Sequence, residues 1–207
     1  MKTLAELVKA GTGVSPLQCY QCGRCSAGCT QNVKEGMDLG PVRIMHLMQM
    51  EDAFRDQPET AAEYRERVLQ SDTIWMCVSC QTCTQRCPQG IDIAGSMDVL
   101  RQQAIADDKV NKKHKKVWDI ISSHKAFINC IRRTGRNDEV ALVGEYKLRT
   151  GNLMSDMNMA PKMMLKGKMS PFGAVGSALS IFKGTDPKVE GVFAAAEALK
   201  KQEEEEQ

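Results

Sequence analysis

The chain has 207 residues, 42% of them apolar and 26% charged, with a formal net charge of +2 at pH 7. That length accommodates one or two modest domains, and near-neutrality supplies no whole-chain attraction for nucleic acid or a membrane surface. An aromatic content of 5% leaves no base-stacking platform, and the longest apolar stretch, residues 173–182, is about half of the roughly 20 residues needed to cross a bilayer.

The N-terminal residues lack the apolar core and cleavage site of a secretory signal, which points to a reducing cytoplasm and thiols rather than disulfides. Leu4, Leu7 and Val8 share one face of a predicted helix, with Gly11 as its expected stop. That helix is expected to cover the first of two cysteine sites.

Cys19, Cys22, Cys25 and Cys29 follow, and further on Cys77, Cys80, Cys83 and Cys87 repeat the same C-x2-C-x2-C-x3-C spacing. The second array ends in Cys87-Pro88 and reproduces the bacterial ferredoxin run; the first has Thr30 where the proline would stand. Three cysteines at intervals of three wrap one iron-sulfur cube, and the fourth points elsewhere. In two-cluster ferredoxins that fourth cysteine binds the other cluster, which gives one 4Fe-4S site of Cys19, Cys22, Cys25 and Cys87 and another of Cys77, Cys80, Cys83 and Cys29. A zinc site calls for two separated C-x2-C knuckles, a poorer match to four cysteines packed within eleven residues.

Pro41 opens a predicted helix with Ile44, Leu47 and Met48 on its apolar face, and His46 on that helix has no partner at ligand spacing. Residues 51–70 read as a solvated helix pair around Pro58, and Ser71 and Asp72 as the N-cap ahead of the second array. Asp92 is expected to cap a helix carrying Ile93, Met97, Leu100 and Ala104. A longer helix follows a lysine run at Lys109, Lys112, Lys113, Lys115 and Lys116, which reads as a solvated helix entrance. Its stripe of Val117, Ile120, Ile121, His124, Ile128 and Ile131 makes His124 a core or interface residue and leaves Cys130 off the stripe as a spare thiol. Asp138 caps one more helix, stopped by Gly151.

No strand pattern precedes this point, so the two-array core, residues 1–150, is expected to be all-α. Residues 151–207 differ in character: Met154, Met157, Met159, Met163, Met164 and Met169 crowd a glycine- and lysine-rich stretch that reads as an arm lying on a partner. A terminal helix beginning at Asp186-Pro187 carries Val189, Val192, Phe193, Ala196 and Leu199, and the acidic tip Glu203 to Glu206 is expected to be disordered.

Two neighbouring cubes make a short wire. The chain has no nucleotide loop, flavin fingerprint or nucleophile triad, which assigns it no catalytic residue and places substrate chemistry on another chain. The runs CYQCGRCSAGC, SDTIWMCVSCQTCTQRCPQGIDI, RRTGRNDEVALVGEYKLRTGNLMSDM and KMMLKGKMSP resemble the C subunit of heterodisulfide reductase. The resemblance implies an α-helical ferredoxin with two 4Fe-4S clusters on the eight cysteines named. It further implies a cytoplasmic heterodisulfide reductase complex, with or without a hydrogenase or formate dehydrogenase module. In it this chain would relay electrons between the flavin-containing A subunit and the disulfide-reducing B subunit, whose C-C-G motifs are absent here. The competing readings are the iron-sulfur subunit of a quinone-linked dehydrogenase and a zinc-stabilised scaffold.

Overall fold

The computed structural model describes residues 2–34, 36–112, 114–152, 155, 159–167, 176, 179 and 184–205. Among the described residues every regular element is a helix, so the fold is all-α as expected. Packing divides the chain into two compact units, Met1–Val117 and Trp118–Gln207. The division expected between residues 150 and 151 marks a change in residue usage, which is a different kind of boundary.

The first unit begins with α1 (Leu4–Thr12), held by a capping box in which Thr3 Oγ1 accepts from Glu6 N–H and the Glu6 carboxylate accepts from Thr3 N–H at 3.0 Å. The stop expected at Gly11 comes later, at Gly13, whose φ of +80° closes the helix. Gly11 is needed for another reason: a Cβ there would lie 2.7 Å from Val99 Cγ2, so α1 approaches the later helix α8 (Ile93–Ala106) closely at this point. Leu4, Ala5 and Val8 are buried where α1 meets α8 and α4 (Gly40–Ala53). The helix therefore covers the apolar core, and it contributes no residue to the walls of either cysteine cavity described below, contrary to expectation.

Helices α4 and α5 (Pro58–Leu69) pack together, with Pro58 at the start of α5 where its missing N–H costs nothing. The expected helix pair forms and is mostly solvated, with Val68 and Leu69 buried; Glu51 and Arg65 are buried as well, which the sequence did not indicate. Arg65 pairs with Glu51 and with Asp107, each at 3.2 Å, and Glu51 accepts the N–H of Leu4 at 3.0 Å. Burial pushes the Glu51 carboxyl up, against the opposing pull of Leu4 N–H and Arg65. One buried network thus ties the start of α1 to α4, α5 and the end of α8. Four short pieces carry the cysteine loops: a 3-10 turn at Pro16–Gln18, α2 (Arg24–Ala27), α6 (Thr73–Met76) and α7 (Thr82–Gln85); α3 (Thr30–Lys34) follows the first array.

In the second unit α9 (Lys115–Thr134) and α10 (Glu139–Thr150) are joined by a turn through Gly135, with α10 capped by Asp138 and closed by Gly151 as predicted. The buried face of α9 differs from the expected stripe. Val117, Ile121, Ala126 and Cys130 are buried, whereas His124 and Ile128 are exposed. Cys130 lines neither cysteine cavity described below; its Sγ accepts the N–H of Asp138 at 3.2 Å, so the spare thiol is a buried, packed residue at the helix junction. Glu145, also buried, gathers Asn129 and Arg133 at 2.8 Å and Arg149 at 2.7 Å.

Within the methionine-rich stretch, α11 (Met159–Leu165) is helical and exposes Met159 and Met163; Met154, Met157 and Met169 lie outside the described residues, as does the side chain of Met164. The terminal helix α12 (Pro187–Glu205) lays Phe193 under Arg132, 4.5 Å from guanidinium carbon to ring centroid, and pairs Glu197 with the same arginine at 3.3 Å. Val192 and Leu199 remain exposed, and the helix runs through Glu205 of the acidic tip, while Glu206 lies outside the described residues.

Candidate metal centres

The two arrays build the same local structure twice. Cys19 and Cys77 each leave a short helical turn with extended backbone, at φ −67°, ψ 123° and φ −65°, ψ 123°. Two and four residues on, the backbone turns left-handed at Gln21 (φ 57°) and Gly23 (φ 77°) in one loop, and at Ser79 (φ 51°) and Gln81 (φ 62°) in the other. Three of these four positions carry side chains and hold a conformation that costs of order 1 kcal/mol or more each. That backbone wraps the chain around a centre and sends it into α2 or α7, which carries the third cysteine.

Each loop is locked to the long helix that follows it. The Ser26 hydroxyl accepts the N–H of Val42 at 3.0 Å, and the Thr84 hydroxyl accepts the N–H of Ala94 at 3.2 Å. Both bonds satisfy a free donor in the first turn of a long helix. Gln49 on α4 donates to the carbonyls of Leu17 and Cys19, at 3.1 and 3.0 Å; Arg101 on α8 donates to the carbonyls of Ile74 and Cys77. The anchors match in position and differ in charge. Gln21 Nε2 also donates to Gln49 Oε1 at 2.7 Å and shares a 2.8 Å hydrogen bond with His46 Nδ1, which places that histidine in a polar network.

As expected, Asp72 stands at the N-cap position of α6 and Ser71 Oγ accepts the N–H of Thr73 at 3.1 Å, and a further carboxylate joins them from outside the segment. Asp38 accepts from Ser71 Oγ at 2.8 Å and from Thr73 at its N–H, 3.0 Å, and its hydroxyl, 2.7 Å. Burial alone would raise the Asp38 carboxyl, but the bonds from Thr73 and Ser71 outweigh it and hold it below the usual carboxylate range.

Two cavities open between these elements. One is lined by Cys77, Cys80 and Cys83 together with Cys29, and otherwise by such groups as Met37, Pro41 and Met97. The other is lined by Cys19, Cys22 and Cys25 together with Cys87, with Tyr20, Arg24, Val42 and Pro88 among its remaining walls. Ile93 lines both and so stands between them. Among the described residues no three His, Cys, Asp or Glu side chains converge on a point where a single ion could sit.

The donor set fits a cube in each cavity: four thiols around apolar walls, and a backbone N–H, that of Gln21, directed at Cys19 Sγ at 3.3 Å. Burial pushes the Cys83 thiol up to about 11 and raises Cys25, while the Thr82 hydroxyl lowers the exposed Cys80. The paired hydroxyls Ser26 and Thr84 and the anchors Gln49 and Arg101 escaped the sequence reading. The hydroxyls had a signal, since each directly follows the third cysteine of its array.

Comparison with known proteins agrees with this geometry. Residues 15–91 match the 4Fe-4S dicluster domain. The chain is 29% identical over 118 residues to the C subunit of the ferredoxin:CoB-CoM heterodisulfide reductase of Methanosarcina mazei, covering 57% of this chain and 63% of that protein. It is 25% identical over 130 residues to the C subunit of the H(2):CoB-CoM heterodisulfide,ferredoxin reductase of Methanothermobacter marburgensis, covering 62% and 63%. With the iron-sulfur C subunit of the CoB--CoM heterodisulfide reductase of Methanopyrus kandleri the identity is 30% over 128 residues, covering 59% of each chain. The aligned part thus spans about three fifths of each relative's length. No helix among the described residues is long and apolar enough to cross a membrane. The duplicated cysteine loops, the dicluster-domain match and these relatives bear out the resemblance read from the sequence: the chain is an iron-sulfur protein similar to the C subunit of heterodisulfide reductase.

Proposed function

We propose that this chain is the electron-relay subunit of a heterodisulfide-reductase-like complex, carrying electrons between a flavin-containing subunit and a disulfide-reducing one. Its two 4Fe-4S clusters would be held by Cys19, Cys22, Cys25 and Cys87, and by Cys77, Cys80, Cys83 and Cys29. The observation that carries this reading is the make-up of the two cavities, each walled by three cysteines of one array and the last cysteine of the other.

When bound, a 4Fe-4S cluster takes up and gives back one electron at a time. The eight thiols must lose their protons to bind iron. Proton and iron compete for the same sulfur, so acid favours release of the cluster. Gln49 and Arg101 fix the backbone at the first cysteine of each array, and Ile93 alone among the wall residues borders both cavities, which keeps the two sites adjacent. Residues 151–207, with Met159, Met163 and Leu165 exposed, would form the part that lies on a partner chain.

The test is anaerobic purification of the native assembly, with metal analysis and identification of the companion chains. About eight irons per chain, a flavoprotein and a companion with C-C-G motifs are the expected result. A membrane-anchor protein in their place would point to a quinone-linked dehydrogenase, and a colourless zinc protein would overturn the electron-relay role.

A further inference from the structure

The two centres present different edges to solvent. Cys22 and Cys80 occupy equivalent places in the two loops and are both exposed, each beside an exposed apolar residue, Tyr20 at 71% and Val78 at 61%. The edge at Cys22 is bordered by arginine. Arg24 lines that cavity, and Arg43 follows the lining residue Val42 on α4. Arg86 lays its guanidinium against Gly28, where an added Cβ would meet Nη1 at 1.7 Å. All three arginines are exposed, and none is ion-paired with a carboxylate among the described residues.

The segments that supply them hold no acid: residues 12–34, 39–50 and 76–91 contain no Asp or Glu. The nearest carboxylate in sequence to the shared wall residue Ile93 is Asp92, and it is committed to capping α8 through Gly95 N–H at 2.9 Å and Thr84 Oγ1 at 3.0 Å. The edge at Cys80 is built differently: Ser79 donates to Asp98 at 3.5 Å, and Asp98 pairs with Arg101 at 2.6 Å, so its charges are balanced locally.

We propose that the rim formed by Tyr20, Cys22, Arg24, Arg43 and Arg86 is the docking surface for an electron-carrier protein with an acidic face, and that electrons cross to or from that partner at the first centre. The assignment rests on the electron-relay reading and adds to it which centre meets which kind of partner. Arginines without a carboxylate partner, one of them at the cavity wall, attract an acidic surface over about a Debye length and speed its encounter, and the exposed Tyr20 ring supplies apolar contact once it arrives. Only an electron moves in the step: the carrier is oxidised as the first centre is reduced, or the reverse, and no bond is made or broken.

The experiment uses the full chain with its clusters and a small acidic ferredoxin as probe, with a basic cytochrome c as the opposite charge. Stopped-flow spectroscopy reads the bimolecular rate from ~20 to ~300 mM ionic strength. The rate with ferredoxin should fall about tenfold or more across that range, while cytochrome c shows no such fall. Charge reversal at Arg24→Glu with Arg86→Glu should lower the low-salt rate with ferredoxin about tenfold and flatten the salt dependence. Lys125→Glu, a single charge reversal on the exposed side of α9, should leave the rate with ferredoxin as it was.

Iron content and the electron paramagnetic resonance spectrum accompany every variant, and Arg24→Gln with Arg43→Gln serves where the reversal loses iron. A wild-type chain without iron would sink the electron-relay reading. Iron-replete protein with equal salt slopes for both probes, or arginine variants that shift cluster potentials and leave the slope unchanged, would overturn the docking surface alone. So would flotation on phosphatidylglycerol vesicles that the same variants abolish, because the patch would then be a lipid site.

Discussion

Gln49 and Arg101 hold the same carbonyl position in two loops of the same shape, one with a neutral amide and the other with a guanidinium. Gln49 also fixes the side chain of Gln21, whose backbone N–H bonds Cys19 Sγ. Hydrogen bonds to sulfur stabilise the reduced cluster and raise its potential. Gln49→Ala should therefore lower the potential of one centre by tens of millivolts and leave the other in place, as redox titration followed by electron paramagnetic resonance would show. Asp38 makes a second residue-level prediction, this one about pH. Its carboxyl lies below its ordinary value in the folded chain, so its contribution to stability is complete above about pH 4 and is lost as pH falls through the lower folded value. Asp38→Asn should cost about 1 kcal/mol at neutral pH, a low figure because the side chain is exposed and water replaces part of what is lost, and should flatten the acid limb of a pH-dependent melting curve. None of this was legible beforehand. A side chain reaching a loop from another helix leaves no periodic mark, and Asp38 caps α6 from 35 residues before Thr73.

At the scale of elements, caps were the most readable features. Asp92 and Asp138 close their helices as the sequence indicates, because a capping carboxylate acts on its own next turn. Gly11 misled for the opposite reason: it looks like a terminator, but it is the contact between α1 and α8. Alanine in an exposed helix interior gains about 1 kcal/mol over glycine, whereas here the added methyl meets Val99. Gly11→Ala should therefore destabilise the first unit by about 1–3 kcal/mol. Val99→Ala in the same chain should recover part of that loss, and chemical denaturation of the two single variants and the double variant would reveal the coupling. The stripe on α9 was misread similarly. Val117 and Ile121 of the expected stripe are buried, but from there the buried positions run on through Ala126 and Cys130 and leave His124 and Ile128 exposed.

At the scale of the molecule, the cysteine pattern carried nearly all of the functional reading, since spacing alone defines the loop that surrounds a cube. The repeat extends beyond the eight cysteines, to the left-handed turns and the hydroxyl anchors, and it makes the two centres alike in backbone and unlike in charge. The packing division at residues 117 and 118 falls within the first turn of α9. Crossed ligation is the claim on which the relay depends, and paired cysteine variants test it most directly. If each centre takes its fourth ligand from the other array, Cys25→Ser with Cys87→Ser should disturb a single centre and leave about four irons and one unaltered paramagnetic signal, whereas Cys83→Ser with Cys87→Ser should disturb both. The opposite result, with the pair from one array damaging one centre and the mixed pair damaging two, would contradict the account.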